Sequence, residues 1–189
     1  GLFFTPTPGG SGIVESNQAT GGILGVGLYG QGWVRYNLVR NVFGFGGGYG
    51  QGAVTNMNNT YAFCTGGLQQ GTGAVAINNI LAFNQFGISN EGGSGADYNL
   101  YFGNTENYRN LAPGPHDTYG DPSFIDTNAW NFALQSNSAA IDKGTNLDGL
   151  AAGNGRDQGY LESAWVIVTP VVATNLDLAV GYAGVQLAL

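Results

Sequence analysis

The chain has very little charge, and most of that charge is negative. Charged residues make up 9% of its 189 residues, against about 25% in an ordinary globular protein. Twelve Asp and Glu stand against five Lys and Arg, which gives a net charge of −7. The five cations are Arg35, Arg40, Arg109, Lys143 and Arg156. Because they do not cluster, the sequence predicts no nucleic-acid partner.

Other features are equally scarce. A single cysteine, Cys64, excludes an internal disulfide. No apolar run approaches the roughly 20 residues of a membrane helix, so no membrane span is predicted. No signal peptide is recognisable from Gly1 onward, and we expect a processed chain. No window places apolar residues at helical spacing for three turns, which excludes a helical fold.

A repeat of about 20 residues runs through the first half of the chain. Three kinds of position recur, each opening or closing a short apolar run. The valine column is Val14, Val34, Val54 and Val75, the asparagine column is Asn17, Asn37, Asn59, Asn79 and Asn99, and the glycine column is Gly22, Gly44, Gly66 and Gly87. A fixed period of this size indicates one structural unit stacked on itself.

The runs inside each repeat are typical of strands. Residues 59–63 and 77–83 are rich in β-branched and aromatic residues and are bounded by Gly and Asn. Stacking such units gives parallel sheets with equivalent residues about 4.8 Å apart. The asparagine column then forms a ladder of side-chain amides at a turn that tolerates left-handed backbone. The predicted fold is all-β: a right-handed parallel β-helix with about 20–22 residues per coil.

Three regions are expected along the chain. Residues 1–12 form an entry strand and a Gly-rich linker. Residues 13–162 form the parallel β-helix, with terminal coils from about residue 106, where the period decays. Residues 163–189 form a C-terminal extension of apolar β-strands.

The second half resembles a known family. Four stretches are similar to the terminal coils of right-handed β-helix proteins of the pectate-lyase-like superfamily. They are Asp121-Pro122-Ser123-Phe124-Ile125-Asp126, residues 131–135, Ser138-Ala139-Ala140-Ile141-Asp142 and Asp157-Gln158-Gly159-Tyr160-Leu161-Glu162. The resemblance covers roughly residues 13–162. It implies the fold and not an activity, because the family includes lyases, hydrolases, adhesins and viral tailspikes.

Catalytic residues are sparse. Lyases of the resembled family use a Lys or Arg base beside an acidic Ca²⁺ cluster, yet Lys143 is the only lysine, and Asp and Glu are absent between residues 16 and 90. Hydrolases need two carboxylates on neighbouring coils, and Glu91 and Asp97 fall in a Gly-rich turn. His116 is interpreted as an ordinary loop histidine. We therefore predict no catalytic residue in this chain alone.

Cation binding is a weaker possibility. Asn146, Asp148, Asn154 and Asp157 supply the oxygen ligands that Ca²⁺ prefers. Their spacing lacks the order of a dedicated calcium loop, so we favour turns in which these side chains bond their own backbone. No metal and no cofactor is predicted.

Surface aromatics suggest a binding face. Tyr29 and Tyr49 are 20 residues apart, so they are expected to stack, with Gln69 next in the same column. Trp33 is expected to share a column with Ala53 and Ala74, the matching residues of the next two coils. Aromatic and amide ladders on a flat sheet suit sugar rings or a protein face. The alternative is that these residues merely decorate Gly-rich turns.

The last 27 residues are apolar where a solenoid end needs a polar cap. No charged residue follows Asp177. The segment either folds back over the solenoid or pairs with a neighbouring subunit, and we favour the subunit contact. The expected assembly residues are Trp165, Val168, Val171, Leu176, Leu178, Val180, Tyr182 and Leu187.

Taken together, these patterns favour a structural β-helix over an enzyme. We expect a homo-oligomer or a lattice of like subunits at a cell surface, on a virion or in an extracellular filament, with glycans as a possible ligand. The alternatives are a polysaccharide-active lyase or hydrolase, with a site completed across a subunit boundary, and a monomeric glycan-binding module.

Overall fold

The computed structural model describes residues 2–4, 10–48, 52–92, 95–149, 151 and 155–165, and the backbone of 173–175 and 180–182. The described residues form strands and turns without a helix, and their parallel strands stack as a β-solenoid of five coils. The predicted all-β parallel solenoid is therefore confirmed.

Each coil contributes one strand to each of three sheets. Sheet A contains β1 (Leu2–Phe4), β4 (Val26–Leu28), β7 (Phe45–Gly48), β10 (Gly66–Gln70), β13 (Phe86–Asn90) and β16 (Glu106–Arg109). Sheet B contains β2 (Ser11–Glu15), β5 (Gln31–Arg35), β8 (Val54–Met57), β11 (Val75–Ile77) and β14 (Ala96–Asp97). Sheet C contains β3 (Gln18–Thr20), β6 (Leu38–Arg40), β9 (Thr60–Ala62), β12 (Ile80–Ala82), β15 (Leu100–Phe102) and β17 (Thr118–Tyr119).

The interior is filled by alternate residues of all three sheets. In sheet C the middle residue of each strand points inward, in the column Val39, Tyr61, Leu81 and Tyr101, and all four are buried. The flanking residues therefore point outward. The two tyrosines are matched by glycines across the core: a Cβ on Gly47 would lie 2.5 Å from Tyr61 Cε1.

An asparagine ladder joins the coils between sheets B and C. In each coil the backbone N–H and the Nδ2 of one asparagine both donate to the Oδ1 of the next, at 2.9–3.0 Å. The ladder runs through Asn17, Asn37, Asn59, Asn79 and Asn99 and ends on the carboxylate of Asp117, which accepts the Asn99 N–H at 2.8 Å. The predicted ladder is therefore present.

The left-handed backbone lies one residue earlier than expected. The residue before each ladder asparagine has positive φ, in the column Ser16, Tyr36, Asn58, Asn78 and Tyr98. A second positive-φ column closes the turn from sheet C to sheet A and comprises Gly21, Asn41, Phe63, Phe83 and Gly103. One left-handed residue between two extended strands bends the chain sharply, which lets the strands of one coil face three directions.

The chain leaves the stack after β17. Strands β18 (Phe124–Asp126) and β19 (Asn131–Leu134) pair antiparallel with each other. Thus the terminal coils expected from about residue 106 end with β16 and β17. The physical reason is an exposed apolar surface: Phe124, Phe132 and Leu134 pack with the outward residues of sheet C, among them Leu38, Ile80 and Leu100.

Residues 142–149 and 155–160 lie beside the turns between sheets B and C. The positive-φ side chains hold them: Asn58 Nδ2 donates to the Asp157 and Gly159 carbonyls, and Asn78 Nδ2 donates to the Thr145 carbonyl at 2.7 Å. At the fifth coil, Gln158 Nε2 donates to the Tyr98 carbonyl at 2.6 Å. The segment 157–162, which resembles the ending of pectate-lyase-like proteins, thus lies along the side of the solenoid.

Two further strands lie in the C-terminal extension. β20 (Ala173–Asn175) and β21 (Val180–Tyr182) pair antiparallel in a sheet of their own. Of the predicted assembly residues, Val180 and Tyr182 belong to β21. Val168, Val171, Leu176, Leu178 and Leu187 lie outside the described residues.

Candidate functional site

The register of sheet A places Tyr29 and Gln69, two members of the predicted tyrosine–glutamine column, in different columns. In sheet A, Gly27 lies opposite Gly48, and Gly47 lies opposite Leu68. Gln69 therefore follows Gly27 and Gly48 in their column, and Tyr29 belongs to a different one. Tyr29 is exposed, and Gln69 donates to Glu91 at 2.6 Å. Tyr49 lies outside the described residues.

The cause is a longer second coil. Thr20 lies opposite Arg40, a step of 20 residues, whereas Val26 lies opposite Gly47, a step of 21. One residue is thus inserted in the turn from sheet C to sheet A. The next asparagine step, from Asn37 to Asn59, is 22 residues. A second residue, inserted in the turn from sheet A to sheet B, places Trp33 opposite Thr55, which corrects the predicted neighbours Ala53 and Ala74.

Trp33 instead belongs to a column on the outer face of sheet B. It lies between Ile13 and Thr55, and Val75 follows in the same register. Ile13 is 55% exposed and Trp33 37% exposed, whereas their strand neighbours Val14 and Val34 are buried in the core. We call Ile13, Trp33, Thr55 and Val75 the B-face column. Apolar and β-branched side chains in register give this sheet a flat, weakly polar outer surface.

An ion pair borders the B-face column. Arg35 Nε lies 2.7 Å from Glu15 Oε2, and both side chains are partly exposed. The Arg35 guanidinium also lies 5.4 Å from the ring of Tyr36. The pair neutralises both charges beside the column, so the strip carries no net local charge.

His116 has a partner that sequence reasoning missed. Its Nδ1 lies 2.8 Å from Asp97 Oδ2, its backbone N–H donates to Asp97 Oδ1 at 2.8 Å, and its ring stacks on Tyr98 at 4.5 Å. His116 is thus a loop histidine, as interpreted, but its ring and its backbone N–H both have partners. Burial raises the pKa of Asp97, but the hydrogen bonds from His116 and Tyr98 outweigh it and leave that pKa below its usual value.

Asp117 closes the asparagine ladder beside this pair. Its Oδ2 accepts from the Tyr108 hydroxyl and from the Gly114 N–H, each at 2.8 Å. Burial raises the pKa of Asp117, although these hydrogen bonds oppose the shift. Tyr108 also lies 2.7 Å from the Tyr119 hydroxyl, and burial raises its pKa. These contacts hold the loop over residues 110–117 against the last coil.

Of the four candidate Ca²⁺ ligands, Asp148 and Asp157 bond to the protein itself, and Asn154 lies outside the described residues. Asp157 accepts from the backbone N–H groups of Asp142 and Ser163. Asp148 accepts from the Tyr36 hydroxyl and lies 3.4 Å from Arg156 Nη2. Throughout the described ranges, no group of three or more His, Cys, Asp or Glu side chains has the arrangement of a metal site.

Trp165 contacts the hairpin of its own chain. Its indole Nε1–H donates to the Leu134 carbonyl at 3.1 Å, and its side chain remains 49% exposed. The C-terminal extension therefore starts in contact with β19. A role for Trp165 in subunit contact stays a prediction.

A groove opens at the turn from sheet C to sheet A. It has a volume of about 420 Å³ and lies across the second, third and fourth coils. Phe63 and Phe83 stack in parallel beside it, with ring centroids 4.8 Å apart. Sequence reasoning missed this site, although the 20-residue spacing of the two phenylalanines was visible.

Comparison with known proteins gives no match among protein-family models, curated proteins or solved structures. The likeness to pectate-lyase-like proteins therefore stays a resemblance of sequence motifs. Its coarser implication, a parallel β-solenoid, is the part that the fold confirms. Within the described residues no helix is long and apolar enough to span a membrane.

Proposed function

We propose that the chain is a structural β-solenoid that associates with further copies of itself through the B-face column. The observation that carries the proposal is the difference between two outer sheet faces. The outer face of sheet C is covered by Phe124, Phe132 and Leu134. The outer face of sheet B leaves Ile13 and Trp33 exposed in adjacent coils.

A second copy is the partner that fits this surface best. Side chains of the column repeat at the coil spacing of about 4.8 Å. Another copy presents the same repeat, so two faces interdigitate along their whole length without a mismatch. The Glu15–Arg35 pair leaves no uncompensated charge at the edge of the contact, and Trp33 supplies the large aromatic area typical of interface centres.

The C-terminal extension supports assembly in a second way. Its sequence is apolar and uncharged after Asp177. β20 and β21 pair only with each other among the described strands. A short two-stranded sheet is marginally stable by itself. We therefore propose that this segment also contacts a neighbouring subunit, in an assembly at a cell surface, on a virion or in an extracellular filament.

The test is the solution mass of matched variants. Light scattering over a range of concentrations is measured for the intact chain, for Ile13→Thr/Trp33→Ser and for the control Ile125→Ser. Ile125 is 51% exposed and lies in β18, whose hairpin packs against sheet C. We expect an oligomer for the intact chain and for the control, and a smaller species for the double variant. A monomeric intact chain, or a double variant with unchanged mass, would reject the proposal.

A further inference from the structure

The groove at the turn from sheet C to sheet A has two rows of side chains. One row is the positive-φ column Asn41, Phe63 and Phe83. The other is Phe43, Thr65 and Gln85, which follow two residues later in each coil. Between them, Val42 and Cys64 form a buried floor. The rows rise along the solenoid axis, so any extended ligand here meets one such pair per coil.

An aromatic stack in this groove is interrupted at one coil. The Phe63 and Phe83 rings stack with an interplanar angle of 9°, and Phe102 packs edge-on against Phe83. The other face of Phe63 is directed toward the second coil, where the same backbone position is Asn41. The shorter side chain leaves room for one ring on Phe63, which is 38% exposed.

Left-handed backbone at two phenylalanines is unusual. Large residues rarely adopt positive φ, and such strain persists where surrounding structure or function requires it. Phe63 and Phe83 have φ of 56° and 59°, whereas the same turn uses Gly21 and Gly103 in the first and fifth coils. Part of the reason is packing, because Phe63 contacts Phe132 of the hairpin edge-on. Packing leaves the exposed face of Phe63 unused.

The polar groups of the groove are all neutral. Of the described residues that line it, none is charged. Asn41, Thr65 and Gln85 provide amide and hydroxyl groups that both donate and accept hydrogen bonds. Phe43, at 83% exposure, forms the opposite wall. A ring with an apolar face and several hydroxyl groups satisfies both features, whereas an anionic ligand would lose its solvation without a cation to replace it.

We propose that this groove binds a neutral glycan, with one sugar ring stacked on Phe63 in the space beside Asn41. Phe43 covers the ring from the outer row, and Thr65 and Gln85 bind its hydroxyl groups. Further sugar units follow the solenoid axis. The site lies apart from the B-face column, so binding does not depend on self-association.

The test uses defined oligosaccharides and a variant that fills the space. Titration calorimetry and aromatic NMR shifts are recorded with cellohexaose, maltohexaose, xylohexaose and mannohexaose, and with hexagalacturonate as the acidic counterpart. Asn41→Phe continues the aromatic stack at a backbone position that already accepts Phe in the next two coils. Phe43→Ala removes the outer wall at an exposed position. Leu147→Ser serves as the control, because Leu147 is 51% exposed and lies beside the turns between sheets B and C.

We expect at least one neutral hexasaccharide to bind and to shift the Phe63 signals. Asn41→Phe and Phe43→Ala should each weaken binding at least about tenfold, a loss typical of one good contact. Leu147→Ser should bind like the intact chain. Lack of binding by all four neutral probes, equal or tighter binding of hexagalacturonate, or undiminished binding by Asn41→Phe would each overturn the proposal.

Discussion

Tyr61 occupies interior space that a side chain on Gly47 would need. Tyr61 is fully buried, and its ring lies under the Gly47 backbone. Glycines in sheet A and tyrosines in sheet C are therefore complementary, which accounts for part of the high glycine content. Close packing of this kind leaves no room for even one methyl group.

We predict that Gly47→Ala destabilises the protein by about 1–3 kcal/mol, the usual cost of overpacking a core. The new methyl would lie 2.5 Å from Tyr61 Cε1. Urea denaturation measures the change in the free energy of unfolding. Gly48→Ala is the matched control, because its methyl would meet nothing closer than 3.8 Å. Equal stability of the two variants would contradict the packing account.

The stability of the contacts that hold the loop over residues 110–117 should depend on pH, because the pKa values of Asp97 and Asp117 are shifted in opposite directions. The pKa of Asp97 is lowered by its hydrogen bonds to His116 and Tyr98, after burial has raised it. Its contribution to stability is therefore present above the ordinary carboxyl pKa and is lost as pH falls through the lowered value. The pKa of Asp117 is raised by burial. Its contribution is present below the ordinary pKa and is lost as pH rises through the raised value.

The variants Asp97→Asn and Asp117→Asn separate these effects. Asp97→Asn should have a lower free energy of unfolding than the intact chain, and this difference should shrink as pH falls below about 4, the ordinary carboxyl pKa. For Asp117→Asn, the difference in free energy of unfolding from the intact chain should shrink as pH rises above that pKa. Denaturant unfolding between about pH 2.5 and pH 7 measures both differences. Deficits that do not vary with pH would show that neither carboxyl group has a shifted pKa.

At the scale of elements, the hairpin of β18 and β19 packs on the outer face of sheet C where the chain stops forming coils. Its apolar residues cover the outward side chains of sheet C from the second coil to the fifth. Phe132 is the centre of this contact, since it is 1% exposed and packs edge-on against both Phe63 and Phe124. One side of the solenoid is thereby removed from water by the chain itself.

Phe132→Ala should cost about 3–5 kcal/mol and detach the hairpin. Hydrogen exchange should then rise first in residues 124–134 and in the loop between the two strands, before the solenoid sheets exchange. Ile125→Ala is the control on the same hairpin, because Ile125 is 51% exposed, and it should change stability by no more than about 0.5 kcal/mol. Simultaneous exchange of hairpin and solenoid would contradict this order.

The asparagine spacing predicted the coils better than the valine spacing did. Each asparagine bonds to the next, so its column follows every change in coil length, including the step of 22 residues from Asn37 to Asn59. A valine only needs an inward position. Val34 lies opposite Asn56, and Val54 lies opposite Gly32, so the valine column breaks at the second coil. The antiparallel hairpin was not predictable from periodicity, because its cause is a surface formed by distant strands.

At the scale of the whole molecule, the outer faces of the solenoid differ in what covers them. Sheet C is covered, sheet B carries the B-face column, and the turns between sheets C and A form the aromatic groove. The 20-residue spacings from Ile13 to Trp33 and from Phe63 to Phe83 were visible in the sequence. Which of these faces is covered was not visible in the sequence, because coverage depends on where the hairpin of β18 and β19 packs.

Oxidative footprinting of the three tryptophans tests the self-association of the B-face column most directly. Trp33, Trp130 and Trp165 are 37%, 47% and 49% exposed, so all three react in a free subunit. Hydroxyl-radical labelling is measured by mass spectrometry as protein concentration rises. We predict that Trp33 becomes protected as the oligomer grows, while Trp130 stays reactive. An oligomer in which Trp33 remains as reactive as in the dilute protein would contradict this prediction.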